Sequence, residues 1–328
     1  MSDAARRAVP CRILLDAGCS APERLAAREL QEHFRLLGVD APVTELHHGE
    51  NVPGGSVCLG AALLPANAID ALSRVRDDGF LLYRANDTIH IAAHLPRGTL
   101  FGCYCYLESL GVRWPEPGQP AELTRRTFDL PAEPEAGVDN PDFPIRGNNC
   151  YCPTNARDLQ ITIDMIEWFT RQRCNLHSLL RGDTPTLTGF DELWYAAADY
   201  VHQRGCEFAL GSHFAWPALL MYEDRDLFAT HPEYFPLRGG ERQQTGPYGP
   251  PTRYGPDAVP ALTGSGMSLC VSNPHAVATV IRNLQRFLDE HPEIDVMGLW
   301  PPDTKWEGCE CPESVSYTHL TLPTKRIV

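Results

Sequence analysis

Residues 158–180 read DLQITIDMIEWFTRQRCNLHSLL. Leu159, Ile163, Ile166 and Phe169 recur at helical spacing, which predicts an amphipathic helix. NLHSLL, which follows at once, predicts a strand. The same alternation extends to both sides. PIRGNNCYC (144–152), EFALGSHF (207–214), LCVSN (269–273) and IDVMGLWPPD (294–303) read as strands, and DELWYAAADYVHQRG (191–205) as a helix. PHAVATVIRNLQRFLDEHPE (274–293) reads as a further helix, with Pro274 in its first turn and Val277, Ile281, Leu284 and Leu288 as its stripe. Alternating elements predict a parallel sheet, with the chemistry on loops after the strand ends. The stretch from Gly239 to Met267 is too long for a compact connection. It is expected to form a lid or rim, with a disordered insertion as the alternative.

The residues before this block have a different rhythm. CRILLDAG (11–18), APVTEL (41–46) and SVCLGAAL (56–63) read as strands, and APERLAARELQEHFRLLGVD (21–40) as a helix with Leu25, Leu30, Phe34 and Leu37 on one face. GFLLYRANDTIHIAAH (79–94) reads as a hairpin turning at Asn86-Asp87, and RGTLFGCYCYLESLG (97–111) as a second helix. This predicts a small α/β domain over 1–125 with a mainly hairpin-built sheet, and a Pro-rich linker over 126–143.

The chain has 328 residues, with 28 Lys and Arg against 42 Asp and Glu, a net charge of −14. No basic block offers a phosphate footprint, so nucleic acid is an unsuitable partner and an anionic membrane no better. No apolar run approaches the ~18 residues of a membrane span. The N-terminus lacks a long apolar segment, so no signal peptide is read and a cytoplasmic location is expected, a secreted parent protein remaining open. The twelve cysteines are spread along the chain and are expected to be reduced and mostly buried.

In order along the chain, AARELQEHFRLLGV, DDGFLLYRANDTIHIAA and RGTLFGCYCYLESLGVRWPEPG resemble the N-terminal domain of α-glucuronidases and β-hexosaminidases. IRGNN, HPEYFPLRGG, LCVSNP and PPDTKWEGCEC resemble a bacterial family known as DUF4838, found behind such a domain. The resemblance implies a hexosaminidase-like α/β domain followed by a (β/α)8 TIM barrel of glycoside-hydrolase type over 144–314. It also implies carbohydrate as ligand: an oligosaccharide or glycoside that is either hydrolysed or, in the alternative, bound without turnover. A TIM barrel usually needs ~250 residues, and 144–314 supplies about four βα units, so an incomplete barrel is expected, poorly soluble and inactive as it stands. Residues 315–328 resemble translated adapter read-through and are read as a non-native or disordered tail.

The site residues follow from the strand ends. Arg146, followed by Asn148 and Asn149, lies at the first barrel strand. In the β-hexosaminidases that this strand resembles, an Arg there binds sugar hydroxyls, a task its fork of donors suits. Asn175 and His177 alternate onto one strand face, which makes His177 a substrate-binding candidate against the plainer reading of a core histidine. His213 and Trp216 close the third strand, His213 as a donor to sugar oxygens or an orienter of a carboxylate, and Trp216 as a face for pyranose C–H groups against the plainer reading of a packed aromatic. Asp303 matches an Asp of the resembled family and is the catalytic candidate. The residue after it is Thr304, where hexosaminidases carry the Glu of an Asp-Glu pair. Cys309 and Cys311 form a C-x-C that relatives extend to a third Cys, where this chain has Ser314. Zinc wants four ligands, and the expectation is no metal and no cofactor.

Overall fold

The computed structural model describes residues 12–47, 50–124, 136–152, 159–181, 192–212, 215–244, 268–299 and 308–315. By contacts the chain forms two compact units. One comprises Met1–Asn148, Asp158–His177 and Asp199–Glu207, and the other Asn149–Arg157, Ser178–Ala198 and Phe208–Val328. The first unit therefore takes in segments that the sequence assigns to the second domain.

In the first unit β1 (Arg12–Asp16) leads into α1 (Ala21–Leu36), β2 (Val43–Leu46) and β3 (Ser56–Leu59). A short α2 (Ile69–Leu72) precedes β4 (Phe80–Ala85) and β5 (Thr88–Ala92), and α3 (Pro96–Ser109) follows. The two-residue strands β6 (Val112–Arg113) and β7 (Glu122–Leu123) pair with each other, and β8 (Gly137–Asp139) joins the main sheet. That sheet runs β2-β1-β3-β5-β4-β8. β1 is parallel to β2 and β3, and β3 to β5, while β4 is antiparallel to β5 and β8.

The expected hairpin is present, with Asn86 at φ 54 in its two-residue turn, but the sheet as a whole is mainly parallel rather than hairpin-built. The cause lies in the strands themselves. ILL of β1 and SVCL of β3 are buried without alternation, the pattern of strands covered on both faces. The end of the Pro-rich segment is also more than a linker, since β8 extends the sheet edge and the Asn140 side chain bonds Arg76 N (2.7 Å) and Arg74 O (3.0 Å).

Helix α1 starts with a capping box between Ser20 and Glu23 and packs on α3. Leu30, Phe34, Leu100, Tyr104 and Leu107 are fully buried, each worth ~1.5–3 kcal/mol of transfer free energy. Trp114 sits edge-on to Tyr104 and donates from Nε1 to His33 Nε2 (2.9 Å). His33 Nδ1 must then carry the proton that bonds Glu29 O (2.7 Å). Helix α4 (Leu159–Arg171) belongs to the same unit, where Arg171 Nη2 reaches both Glu29 oxygens at 3.2 Å.

The later elements are β9 (Gly147–Cys152), β10 (Leu176–Arg181), α5 (Glu192–His202), β11 (Glu207–Ser212), α6 (Ala215–Leu220) and α7 (Leu227–Thr230). They are followed by the hairpin β12 (Leu237–Arg238) and β13 (Glu241–Arg242), then α8 (Pro274–Glu290) and β14 (Val296–Leu299). The sheet order is β14-β11-β10-β9, and β11 and β14 pair in parallel from Ala209 opposite Val296 to Ser212 opposite Leu299.

Two local expectations are corrected in the second unit. LCVSN is not a strand. Residues 268–273 form a turn that ends at Asn273, whose side chain caps α8 by accepting from His275 N (2.9 Å) and Ala276 N (3.2 Å). The buried face of α8 is Ala276, Val280, Asn283 and Phe287, while Ile281 is 53% exposed. The helix is rotated from its apolar stripe because Asn283 Nδ2 finds Leu219 O at 2.7 Å in the interior.

Candidate functional site

The start of β9 is tied down by a buried carboxylate. The Asp78 side chain is fully buried; Oδ1 accepts from Arg146 Nη2 (2.9 Å), and Oδ2 from Arg97 Nε (3.1 Å) and Asn175 Nδ2 (2.7 Å). Arg146 also donates from Nε to Arg173 O and from Nη1 to Phe143 O, both at 2.8 Å, and lies over the Phe101 ring. Asn175 completes the cluster, with Oδ1 accepting from Arg146 N (2.8 Å) and Nδ2 also donating to Pro144 O (2.7 Å). Each guanidinium nitrogen of Arg146 thus donates inside the protein. Arg146 stands just ahead of β9, at the end opposite to the one where βα units gather their chemistry.

His177, the second residue of β10, is completely buried. Thr170 Oγ1 donates to Ile166 O (2.7 Å), so the 3.2 Å contact with His177 Nε2 needs the imidazole to be the donor. Nδ1 is then a bare acceptor with no partner among the described residues. Burial, reinforced by the neighbouring Arg204 charge, pushes the imidazole down to about 3, so it is neutral across the physiological range. Arg146 and His177 therefore occupy different surroundings, the first at the Asp78 carboxylate and the second at the Thr170 hydroxyl.

Asn148 and Asn149 lie within β9, and their side chains are outside what the structure describes. His213 and Asp303 lie outside the described residues, as do 153–158, 182–191 and 300–307, the segments that follow β9, β10 and β14. The stretch Gly239–Met267 is described only as far as residue 244. Trp216, in α6, is half-buried, and its Nε1 has no partner among the described residues.

Two concavities are lined by described residues. In the first unit a cavity of about 500 Å³ is lined by Asp16, His47, Glu50, Asp87 and His90; burial holds the His90 imidazole below its ordinary value. In the second unit a groove of about 260 Å³ runs between α6, α7 and α8, past Glu223, His231, Tyr234, His275 and Arg282. The second unit also holds three buried thiols, Cys270, Cys309 and Cys311, whose sulfurs all lie within 4.8 Å of one another and could hold a metal ion. Sequence reasoning pairs Cys309 with Cys311 but misses Cys270, which the turn before α8 delivers to them.

The structure resembles that of a chitobiase from Flavobacterium johnsoniae, with a TM-score of 0.52, 11% identity, and 95% of this chain matched to 44% of that one. A Streptomyces plicatus β-hexosaminidase matches with a TM-score of 0.44, 15% identity, and 86% of this chain on 53% of that one. A 4-O-methyl-α-glucuronidase of family GH115 matches with a TM-score of 0.43, 15% identity, and 66% of this chain on 31% of that one. The chain spans about half the length of the first two proteins or less. No curated protein matches its sequence. The model of the family described as "Domain of unknown function (DUF4838)" matches residues 127–321, more than half of the chain. The chain belongs to the DUF4838 family, on a mixed α/β fold that resembles glycoside hydrolases.

Proposed function

We propose that this chain is a carbohydrate-active protein of glycoside-hydrolase type, with β9, β10, β11 and β14 as strands of a (β/α)8 barrel and an oligosaccharide or glycoside bound beyond their C-terminal ends. The observation that carries this reading is the likeness to the chitobiase over 95% of the chain. In a barrel of this kind the ligand meets residues just past the strands. Asp303 follows β14, and His213 and Trp216 follow β11. Asp303 is the acid or carboxylate orienter, His213 donates to sugar oxygens, and Trp216 gives the ring an apolar face. Asn148 and Asn149 add amide donors and acceptors from β9. Arg146 and His177 fix the starts of β9 and β10 through Asp78 and Thr170.

A second reading, saccharide binding without turnover, is favoured by one feature. Glycoside hydrolysis usually uses two carboxyl groups, and Thr304 follows Asp303 where an Asp-Glu pair would place the second. A panel of aryl glycosides together with a glycan array tests both. Turnover that Asp303→Asn abolishes while binding survives supports the enzyme. Binding with no turnover, weakened about tenfold by Trp216→Ala, a loss of ~1.4 kcal/mol, supports the binder. Absence of binding to every glycan refutes both. No helix among the described residues is long and apolar enough to cross a membrane.

A further inference from the structure

The three thiols of the second unit come from distant parts of the chain. Cys270 lies in the turn before α8, and Cys309 and Cys311 in the segment that passes the β12–β13 hairpin, 41 positions further on in the case of Cys311. Backbone bonds bring the segments together: Cys270 N donates to Tyr234 O (2.9 Å) and Glu310 N to Leu237 O (2.8 Å). All three cysteines are 2–7% exposed. They are free thiols, with Cys270 Sγ and Cys311 Sγ 3.7 Å apart, far beyond the ~2.05 Å of a disulfide bond.

That spacing has a specific meaning. Tetrahedral zinc with Zn–S bonds of ~2.3 Å holds its sulfurs about 3.8 Å from one another. Ser314 Oγ lies 3.2 Å from Cys311 Sγ and 3.8 Å from Cys270 Sγ, on either side of the ~3.5 Å that a fourth, oxygen ligand would show.

Polar donors face the sulfurs. Leu237 N–H points at Cys309 Sγ (3.3 Å), Arg242 Nη1 approaches the same sulfur (3.7 Å), and Ser272 Oγ sits 3.3 Å from Cys311 Sγ and 2.8 Å from Ser314 Oγ. Three thiolates on a dication leave one negative charge, which the Arg242 guanidinium offsets. A purely apolar packing of three cysteines would need none of these donors.

We propose that Cys270, Cys309 and Cys311 bind one zinc ion, with Ser314 at the fourth position, and that the ion pins the β12–β13 hairpin, the turn before α8 and residues 308–315 together. Three soft ligands with tetrahedral spacing select zinc over the hard cations. Binding exchanges three thiol protons for the dication, so affinity falls as pH is lowered.

The test is metal analysis of the full chain, purified under reducing conditions without chelator, followed by competition titration with a zinc indicator. One zinc per chain is expected. Cys270→Ser, Cys309→Ser and Cys311→Ser should each weaken binding by more than the ~10–100-fold that loss of an outer partner costs. Cys58→Ser, a buried cysteine of the first unit, should leave it unchanged, and Ser314→Cys should tighten it by completing four thiolates. Thiol titration of the unmutated native chain with and without a strong chelator keeps the test decisive if a variant fails to fold. Three thiols should become reactive on metal removal. Substoichiometric zinc, another metal at full stoichiometry, zinc retained by Cys309→Ser, or an unchanged thiol count would each overturn the proposal.

Discussion

Replacing Asp78 with alanine should be among the most damaging single changes in the first unit. The carboxylate is fully buried and serves two guanidinium groups at once, Arg146 at 2.9 Å and Arg97 at 3.1 Å, along with the Asn175 amide at 2.7 Å. Both arginine side chains are themselves only 18–22% exposed. Removing one partner of a buried pair leaves an uncompensated charge and costs about 3–5 kcal/mol. For a unit of this size, 1 kcal/mol moves the melting temperature by roughly 2–4 °C, so a drop of roughly 6–20 °C is expected. Asp78→Asn keeps the volume and one acceptor oxygen, but turns an amide N–H2 toward a guanidinium; its loss should fall between wild type and Asp78→Ala. Arg146→Met leaves Asp78 paired with Arg97 and should cost less than Asp78→Ala. The double variant should cost less than the sum of the two single changes, because one of the two charges orphaned by Asp78→Ala is gone. The exposed Asp70 of α2 is the control, with Asp70→Ala staying within about 0.5 kcal/mol. Urea unfolding followed by circular dichroism reads all of these. A loss below about 1 kcal/mol for Asp78→Ala would refute the claim that this cluster anchors the start of β9.

His177 sets an acid limit. Its imidazole, held near 3 in the fold against an ordinary 6.5, must take up a proton on unfolding below pH 6.5, so its contribution is full above that value and is lost as pH falls toward 3. Wild type should lose about 2 kcal/mol between pH 7.5 and 5 from this group, and His177→Asn should show a flatter profile by that amount in urea titrations. Asn283→Ala removes the bond from Nδ2 to Leu219 O (2.7 Å) inside the second unit and should cost about 1–3 kcal/mol, whereas the exposed Ile281→Ala should cost far less.

Local pattern was legible wherever the cause was local. The apolar stripe of α1, the Asn86-Asp87 turn and Pro274 at the start of α8 each act within a few residues, and each element stands where the pattern puts it. Sheet order was not legible in this way: β3 lies between β1 and β5, and nothing in SVCL names its neighbours. The α8 stripe points to Ile281, yet Asn283 faces inward because its partner, Leu219 O, lies 64 positions away. Asp78 gives the same lesson. In the sequence it is one of two aspartates before a glycine, and its role rests on Arg146 and Asn175, 68 and 97 positions further on. Arg146 was legible as a residue of consequence, but the contacts that the structure describes for it are with the Asp78 cluster. Cys309 and Cys311 announce each other by spacing, while Cys270 carries no local sign of joining them.

The claim that a saccharide is handled beyond the C-terminal ends of β9, β10, β11 and β14 is tested most directly by a crystal structure of the chain soaked with an oligosaccharide taken from the glycan-array hits. The account predicts sugar density within hydrogen-bond distance of Asp303 and His213, with a ring against Trp216. Sugar seated elsewhere, with those three residues clear of it, would contradict the account.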